Sequence, residues 1–468
     1  MSAYLVQCSF VKNESYSKSW EFYQNSNPNE YDLLIIGSSH LTMSISPLQL
    51  WNEYEITSYN MADFGQTMNE NYWILKYALE KMQPKLVVLD AYGLFVDETI
   101  VTKNSENFHS NVDAMPLCGT KISMIKDIVS EDERLYYFFP LSYIHEQWGQ
   151  NSYKKSLDTL YSFKGEALDT RDVEQNVPIY DLSKERENDL VTRNESSSTS
   201  REYMRKSIEL CKEKGINVLL LNTPSRYSDD KQAWTNSANT LAEEYGVEFL
   251  ELNRLNKLVN LATDFRDEGH VNSSGARKIT TYLGDYVLKN YNVKTDRDDN
   301  QKEKWNKEYD EYREYILQQI KNQVSLDSFL TLLYHCSFDV VLEITDIDIL
   351  SDEYYSNFLN NLGCLRDNYN VDNSVYLVMD GKTNEMSVVN DLAIGNNYAT
   401  CIGNIKKEQK SEGGYTISLN EMSVLDILDN QIENKVIRFG VLDDGEIVYR
   451  GSFLKRGAEL SKYDLYIN

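Results

Sequence analysis

Basic charge is in short supply in this chain: Lys and Arg number 47 against 73 Asp and Glu, a formal net charge of −26. That deficit argues against nucleic acid as a partner, because binding it means neutralising phosphates with clustered cations. It argues equally against an anionic membrane surface. Long apolar runs are missing too. The longest near the start, Ala3 to Val11, is interrupted by Gln7 and Ser9. It falls far below the ~20 residues that span a bilayer and lacks the charged start and small-residue cleavage site of a secretory signal. No direct membrane insertion by this chain is expected. The six cysteines (Cys8, Cys118, Cys211, Cys336, Cys364, Cys401) are scattered without a C-x-x-C pair, a spacing that resembles neither a zinc site nor a disulfide framework. Phosphate-loop and dinucleotide-glycine patterns are absent as well, so no cofactor and no metal is expected.

What is present is a globular composition. Hydrophobic residues make up 41% and charged ones 26% of 468 positions, enough apolar material for a core and too much for a disordered chain. From Asp32 the pattern alternates short apolar runs with longer amphipathic ones. Asp32-Leu-Leu-Ile-Ile-Gly37 reads as a buried parallel strand. Ser46-Pro47-Leu48-Gln49 reads as a helix start with Ser46 as N-cap, Pro47 at the first turn and Gln49 completing a capping box. A strand over Ile56 to Ala62, a helix over Asn69 to Met82 and a strand over Lys85 to Asp90 follow. The beat resumes with helix Arg201 to Gly215, strand Ile216 to Leu221, helix Asp230 to Tyr245, strand Val247 to Leu252 and a closing helix Ser273 to Leu288. The fold class is therefore α/β, a parallel sheet with helices on both faces, spanning 1–290 and carrying an insertion at about 91–200. A charge-dense linker and exposed helix at 291–323 lead to a strand-rich α+β accessory domain at 324–468. There, Ser374 to Gly381 is a strand running into a turn, and Asp443-Asp444-Gly445 marks a hairpin.

Ligands of an open parallel sheet bind beyond the carboxyl ends of its strands. The loop after strand one reads Gly37-Ser38-Ser39-His40. A serine just past the glycine projects into that crevice, with backbone N–H groups nearby to hold an oxyanion. A serine needs a base to take its proton, and the base an orienting carboxylate. Of the five histidines (His40, His109, His145, His270, His335), His270 lies in Asp264-Phe-Arg-Asp267-Glu-Gly-His270. That loop follows the last strand and opens on the same sheet edge as Ser39. Asp267, three residues earlier on a short turn, can accept the imidazole N–H.

These blocks together resemble the SGNH (GDSL-type) hydrolase and acyltransferase superfamily. Gly37-Ser38-Ser39 looks like its first block, with Ser39 at the nucleophile position and Ser38 where an aspartate usually stands. Gly65, in Asn60-Met-Ala-Asp-Phe-Gly65-Gln, matches the glycine whose N–H joins the oxyanion hole, and Asp267-Glu-Gly-His270 matches the final Asp-x-x-His block. The resemblance covers residues 15–290 and is closest to bacterial members associated with cell-surface polysaccharides, which often read Gly-Ser-Ser-His here. It implies a flavodoxin-like α/β/α layering of the SGNH type. It also implies a catalytic Ser39–His270–Asp267 triad, with the backbone N–H groups of Ser39 and Gly65 as the oxyanion hole. The chain departs from the family after strand three. Where Gly-x-Asn-Asp is usual and the asparagine donates to the oxyanion, this chain reads Asp90-Ala91-Tyr92-Gly93; Tyr92 could donate from its hydroxyl instead.

The expected activity is that of an esterase or O-acetyltransferase working through an acyl-enzyme. Its substrate is an acylated carbohydrate or another small acyl ester, the glycan coming from the resemblance alone. The competing expectation, prompted by the missing asparagine and the added C-terminal domain, is a non-catalytic glycan-binding or scaffold protein that kept the fold. His40 and His145 (in Phe138-Phe-Pro-Leu-Ser-Tyr-Ile-His145-Glu-Gln-Trp148) are further substrate-side candidates; a turn-shaping role serves equally well for His40, and packing of an aromatic lid is the simpler account of His145. Asp346-Ile-Asp348 reads as a solvated acidic turn, since neither a twelve-residue calcium loop nor a nucleotide-sugar context accompanies it. Relatives of this kind often carry an N-terminal membrane helix, and the chain begins about where one would end. An extracytoplasmic, cell-surface location is expected if an anchor has been left off, with a cytoplasmic one as the alternative.

Overall fold

A computed structural model describes residues 22–23, 30–95, 106–140, 164, 192–195, 198–225, 229–255, 258–259, 264–267, 269–323, 326, 329, 338–345, 374–383, 385–390, 392–428, 436–456 and 459–463. His145, the rest of the Phe-Pro…Trp stretch beyond 140, and Asp346-Ile-Asp348 lie outside them. Among the described residues, those up to Lys164, those at 192–259 and those from Asp267 to Tyr309 belong to one compact unit, and those at 264–266 and from Asp310 onward to a second.

The first unit is built on five parallel strands: β1 (Leu33–Ile36), β2 (Ser58–Asn60), β3 (Leu86–Asp90), β4 (Asn217–Asn222) and β5 (Glu248–Glu251), in the order β2-β1-β3-β4-β5. That order is the flavodoxin-like one, with its switch point between β1 and β3. Register is continuous across the centre, Leu33 to Ile36 lying opposite Leu86 to Leu89. Strands β1 and β3 are buried throughout, as strands covered on both faces should be.

Helices form where the sequence provides starts for them. Ser46 caps helix Pro47–Tyr54 by accepting the Gln49 N–H at 3.0 Å. The expected capping box is only half made. The Gln49 side chain does not return to Ser46 but donates to the Arg277 carbonyl and to Thr281, because helix Ser273–Asn290 lies alongside; Thr280 takes the Ser46 N–H instead. A full capping box does form at Thr67 and Glu70, opening helix Met68–Lys81. The stretch expected as one helix at 230–245 is two, Asp229–Asn236 and Ala238–Tyr245. They are separated at Ser237, whose hydroxyl bonds the Trp234 carbonyl and competes with the helical ladder. Gly284 lets two helices meet closely, since a Cβ there would lie 2.3 Å from the Tyr54 ring.

The charged stretch after 290 is more than a solvated spacer. Arg297 donates to Asp32 at 2.7 Å, and Trp305 is buried against Trp51 and Tyr31. Helix Asp299–Asn322 thus hides an aromatic stripe (Trp305, Tyr309, Tyr312) behind a charged face. Counting charges along the sequence sees only the outer face.

The second unit contains two antiparallel sheets. One has the order β12-β11-β10-β9, built from Asn397–Thr400, Gly403–Gln409, Tyr415–Leu419 and Met422–Ile427 in chain order as β9 to β12. The other has the order β15-β14-β13-β6-β7-β8, with β6 at Asp339–Ile344, β7 at Val375–Met379, β8 at Met386–Asn390, β13 at Val436–Asp443, β14 at Glu446–Arg456 and β15 at Glu459–Tyr463. The β13–β14 hairpin turns at Asp444 and Gly445, both with positive φ, as a type I′ turn requires. Val341, Tyr376, Ile405, Ile417 and Leu425 form part of the core these sheets share.

Candidate active site

The candidate site stands at the carboxyl end of β1. Past Ile36 the chain passes Gly37, where a Cβ would lie 2.4 Å from the Asp90 side chain, so only glycine fits. Ser38 then caps the short helix Ser39–Thr42, and its backbone N–H and hydroxyl both donate to Asp90 Oδ2, at 2.9 and 2.6 Å. Asp90 ends β3, and its other oxygen accepts the Tyr92 N–H at 2.9 Å. Burial raises the Asp90 carboxyl above its usual value, and the Ser38 and Tyr92 hydrogen bonds work against that rise.

Ser39, half-buried, has its Oγ 2.8 Å from His270 Nε2. On the far side of the ring, His270 Nδ1 lies 2.9 and 3.0 Å from the two oxygens of Asp267. Asp267 Oδ1 also accepts the backbone N–H groups of Gly269 and His270, at 2.8 and 2.9 Å. Burial pushes the Asp267 carboxyl up, but the His270 hydrogen bond and charge together with those two N–H groups outweigh it and hold it at about 2. An ionised carboxylate only accepts, so it selects the tautomer with the proton on Nδ1 and leaves Nε2 to face the serine hydroxyl. A serine so placed can pass its proton to the imidazole as it attacks an electrophile.

Three further sequence candidates, His40, Tyr92 and Gly65, lie around this place. His40 is buried and stacks on Tyr92, with ring centroids 3.4 Å apart, and its ring is 4.9 Å from that of His270. Burial, followed by the charges of Asp90 and Asp267, raises the Tyr92 phenol to about 12, so it stays a protonated donor at ordinary pH. Gly65 lies in the loop after β2 with φ +65°. That loop reaches the site through Phe64, whose ring centroid is 6.4 Å from that of His270. Among the described residues nothing accepts a hydrogen bond from the backbone N–H of Ser39 or of Gly65.

Two neighbours were not among the sequence candidates. Asp90 had a signal, a carboxylate closing an otherwise apolar buried strand. Phe64 had none beyond its position before Gly65. Among the described residues no group of three or more His, Cys, Asp or Glu side chains is placed to hold a metal ion, and no helix is long and apolar enough to cross a membrane.

No family model and no curated protein matches the chain. Among solved structures, it is similar to a protein from Desulfitobacterium hafniense DCB-2 assigned to the G-D-S-L family of lipolytic proteins. The match has 11% identity and a TM-score of 0.28, and covers 55% of this chain and 99% of that one. A likeness this low adds nothing to what the site's own geometry says.

Proposed function

We propose that this chain is a serine-dependent acyl-ester hydrolase or O-acyltransferase of the SGNH type, acting on O-acetyl groups of a cell-surface glycan. The observation that carries the chemistry is the unbroken run of hydrogen bonds from Ser39 Oγ through His270 to Asp267. The glycan rests on the resemblance of Gly37-Ser38-Ser39-His40 to polysaccharide-associated relatives.

In this reading Ser39 Oγ attacks the acyl carbon while its proton moves to His270 Nε2. Asp267 holds the ring and stabilises the imidazolium. The carbonyl oxygen, now negative, is met by the Ser39 and Gly65 N–H groups. Collapse of the tetrahedral species breaks the ester C–O bond, and His270 returns the proton to the departing alkoxide. A water molecule or an acceptor hydroxyl then gives its proton to His270, attacks the acyl-serine and releases acid or a new ester. Hydrolysis and transfer differ only in that second nucleophile.

The test is hydrolysis of an aryl acetate by wild type and Ser39→Ala, with intact mass after a fluorophosphonate probe. Turnover and a single adduct, both lost in Ser39→Ala, support the reading. A folded wild type giving neither would overturn it and leave the glycan-binding alternative. With an O-acetyl donor and a sugar acceptor present, acylated sugar distinguishes transfer from hydrolysis.

A further inference from the structure

Each aligned donor adds to the stabilisation of a tetrahedral oxyanion, and the asparagine that relatives place after strand three is missing here. A carboxamide from the insertion nevertheless lies against Gly65. Helix Glu106–Val112 places Asn107 over Gly65: a Cβ built on Gly65 would lie 2.2 Å from Asn107 Nδ2, 3.0 Å from its Cγ and 3.2 Å from its Cβ. The amide therefore fills the space a side chain at position 65 would need. This gives Gly65 a steric reason to be glycine beside its positive φ. The Cβ and N of one residue are so close that Asn107 Nδ2 and the Gly65 N–H are separated by roughly 5 Å at most. Two donors at that separation can both reach one oxygen lying about 3 Å from each.

Asn107 is exposed, and its amide makes no hydrogen bond to another described residue. Its helix is nonetheless fixed. Buried Glu70 accepts the Thr67 N–H at 2.6 Å with one oxygen and the Asn111 amide at 3.4 Å with the other. One carboxylate thus ties the end of the Gly65 loop to the helix that carries Asn107. A second anchor is the buried His109–Asp113 pair, 2.9 Å apart, whose imidazole stacks on Tyr137. The donor and the loop it complements are held together before any substrate arrives, as electrostatic catalysis requires.

We infer that the Asn107 carboxamide is the third oxyanion donor, acting beside the Ser39 and Gly65 N–H groups in place of the asparagine absent after strand three. The assignment rests on the serine-esterase reading and adds a residue to it. It also puts one catalytic contact on the insertion rather than on the parallel-sheet scaffold.

Wild type, Asn107→Ala, Asn107→Asp and Tyr92→Phe are compared on an aryl acetate, each with a thermal melt. Removing one oxyanion donor costs on the order of 10²–10³ in kcat. Asn107→Ala is expected to lose that much with KM and the melting midpoint nearly unchanged, since the residue is exposed. Asn107→Asp keeps the size, removes the donors and should be at least as impaired. A purely spacing role would leave it near wild type and overturn the assignment. So would a kcat for Asn107→Ala within about threefold of wild type, or a large loss confined to Tyr92→Phe. In each of these cases Ser39→Ala remains inactive and the esterase reading stands. A folded wild type that neither turns over nor labels overturns both.

Discussion

Ser38 and Asp90 are joined twice, the serine N–H and its hydroxyl both ending on the same carboxylate oxygen, at 2.9 and 2.6 Å. The loop holding Ser39 is thereby fastened to the neighbouring strand.

Ser38→Ala should therefore loosen the Ser39 loop. A hydrogen bond to a buried carboxylate is lost, costing about 1–3 kcal/mol. The sign with pH follows from Asp90. Its folded-state value is already raised by burial, and losing the Ser38 hydroxyl raises it further. The destabilisation is then full where Asp90 is ionised in both states and shrinks as pH falls towards the ordinary carboxylate value near 4. Thermal melts of both proteins at pH 7.5 and pH 4 check this, and a pH-independent difference would count against it. Esterase activity should fall several-fold.

Asp267 has the opposite sign. Its carboxyl is held at about 2 in the folded protein, below the ordinary value near 4. It stabilises the fold above about pH 4, and that contribution drains away as pH falls towards 2. Asp267→Asn should be less stable at neutral pH and should show a shallower loss of stability between about pH 4 and 2. Its kcat should fall on the order of 10³–10⁴, because an amide at this position no longer fixes the Nδ1–H tautomer. Acid titration of the melting midpoint and a kcat–pH profile measure the two effects separately.

These two carboxylates also show what the sequence could and could not reveal. Asp267 and His270 share one short loop, so their pairing is visible as a three-residue spacing. Ser39 joins them because βα loops of a parallel sheet open on one edge. The Asp90–Ser38 pair depends on the register of β1 against β3, which periodicity does not specify. Asn107 depends on how the insertion folds back, and nothing in Glu106–Val112 marks it. The helical face of Trp305 and Tyr309 was hidden for another reason: one stripe of aromatics is diluted by the charges around it.

Gly65→Ala tests the contact between the oxyanion loop and the insertion. A methyl group would meet Asn107 Nδ2, and the left-handed backbone adds about 1–2 kcal/mol of strain. The variant should lose kcat more than stability, because Asn107 is exposed and can be pushed aside. Introducing Gly65→Ala into Asn107→Ala should then cost less kcat than in wild type, since the displaced donor is already gone. The double-mutant cycle on aryl acetate hydrolysis reads that coupling directly; additive losses would deny the contact any functional role.

The second unit carries its own strong constraint. Glu343 and Arg438 are directly opposed on β6 and β13, both almost fully buried, with Arg438 Nη1 2.7 Å from Glu343 Oε2. Tyr376 and Tyr415 donate to Glu343 Oε1 at 2.9 and 2.7 Å, and Lys407 donates to the Tyr376 hydroxyl at 3.0 Å. A buried pair can come close to break-even against an apolar replacement, but a lone buried charge cannot. Arg438→Met, which strands the carboxylate, should cost about 3–5 kcal/mol, and the double variant Glu343→Gln/Arg438→Met should recover a large part of it. The readout can be made specific, because all six tryptophans (Trp20, Trp51, Trp73, Trp148, Trp234, Trp305) precede residue 310. Loss of the β-sheets in Arg438→Met should appear in far-UV circular dichroism at a lower temperature than the change in tryptophan emission. Unchanged midpoints by both probes would show that the pair is not holding the sheets together.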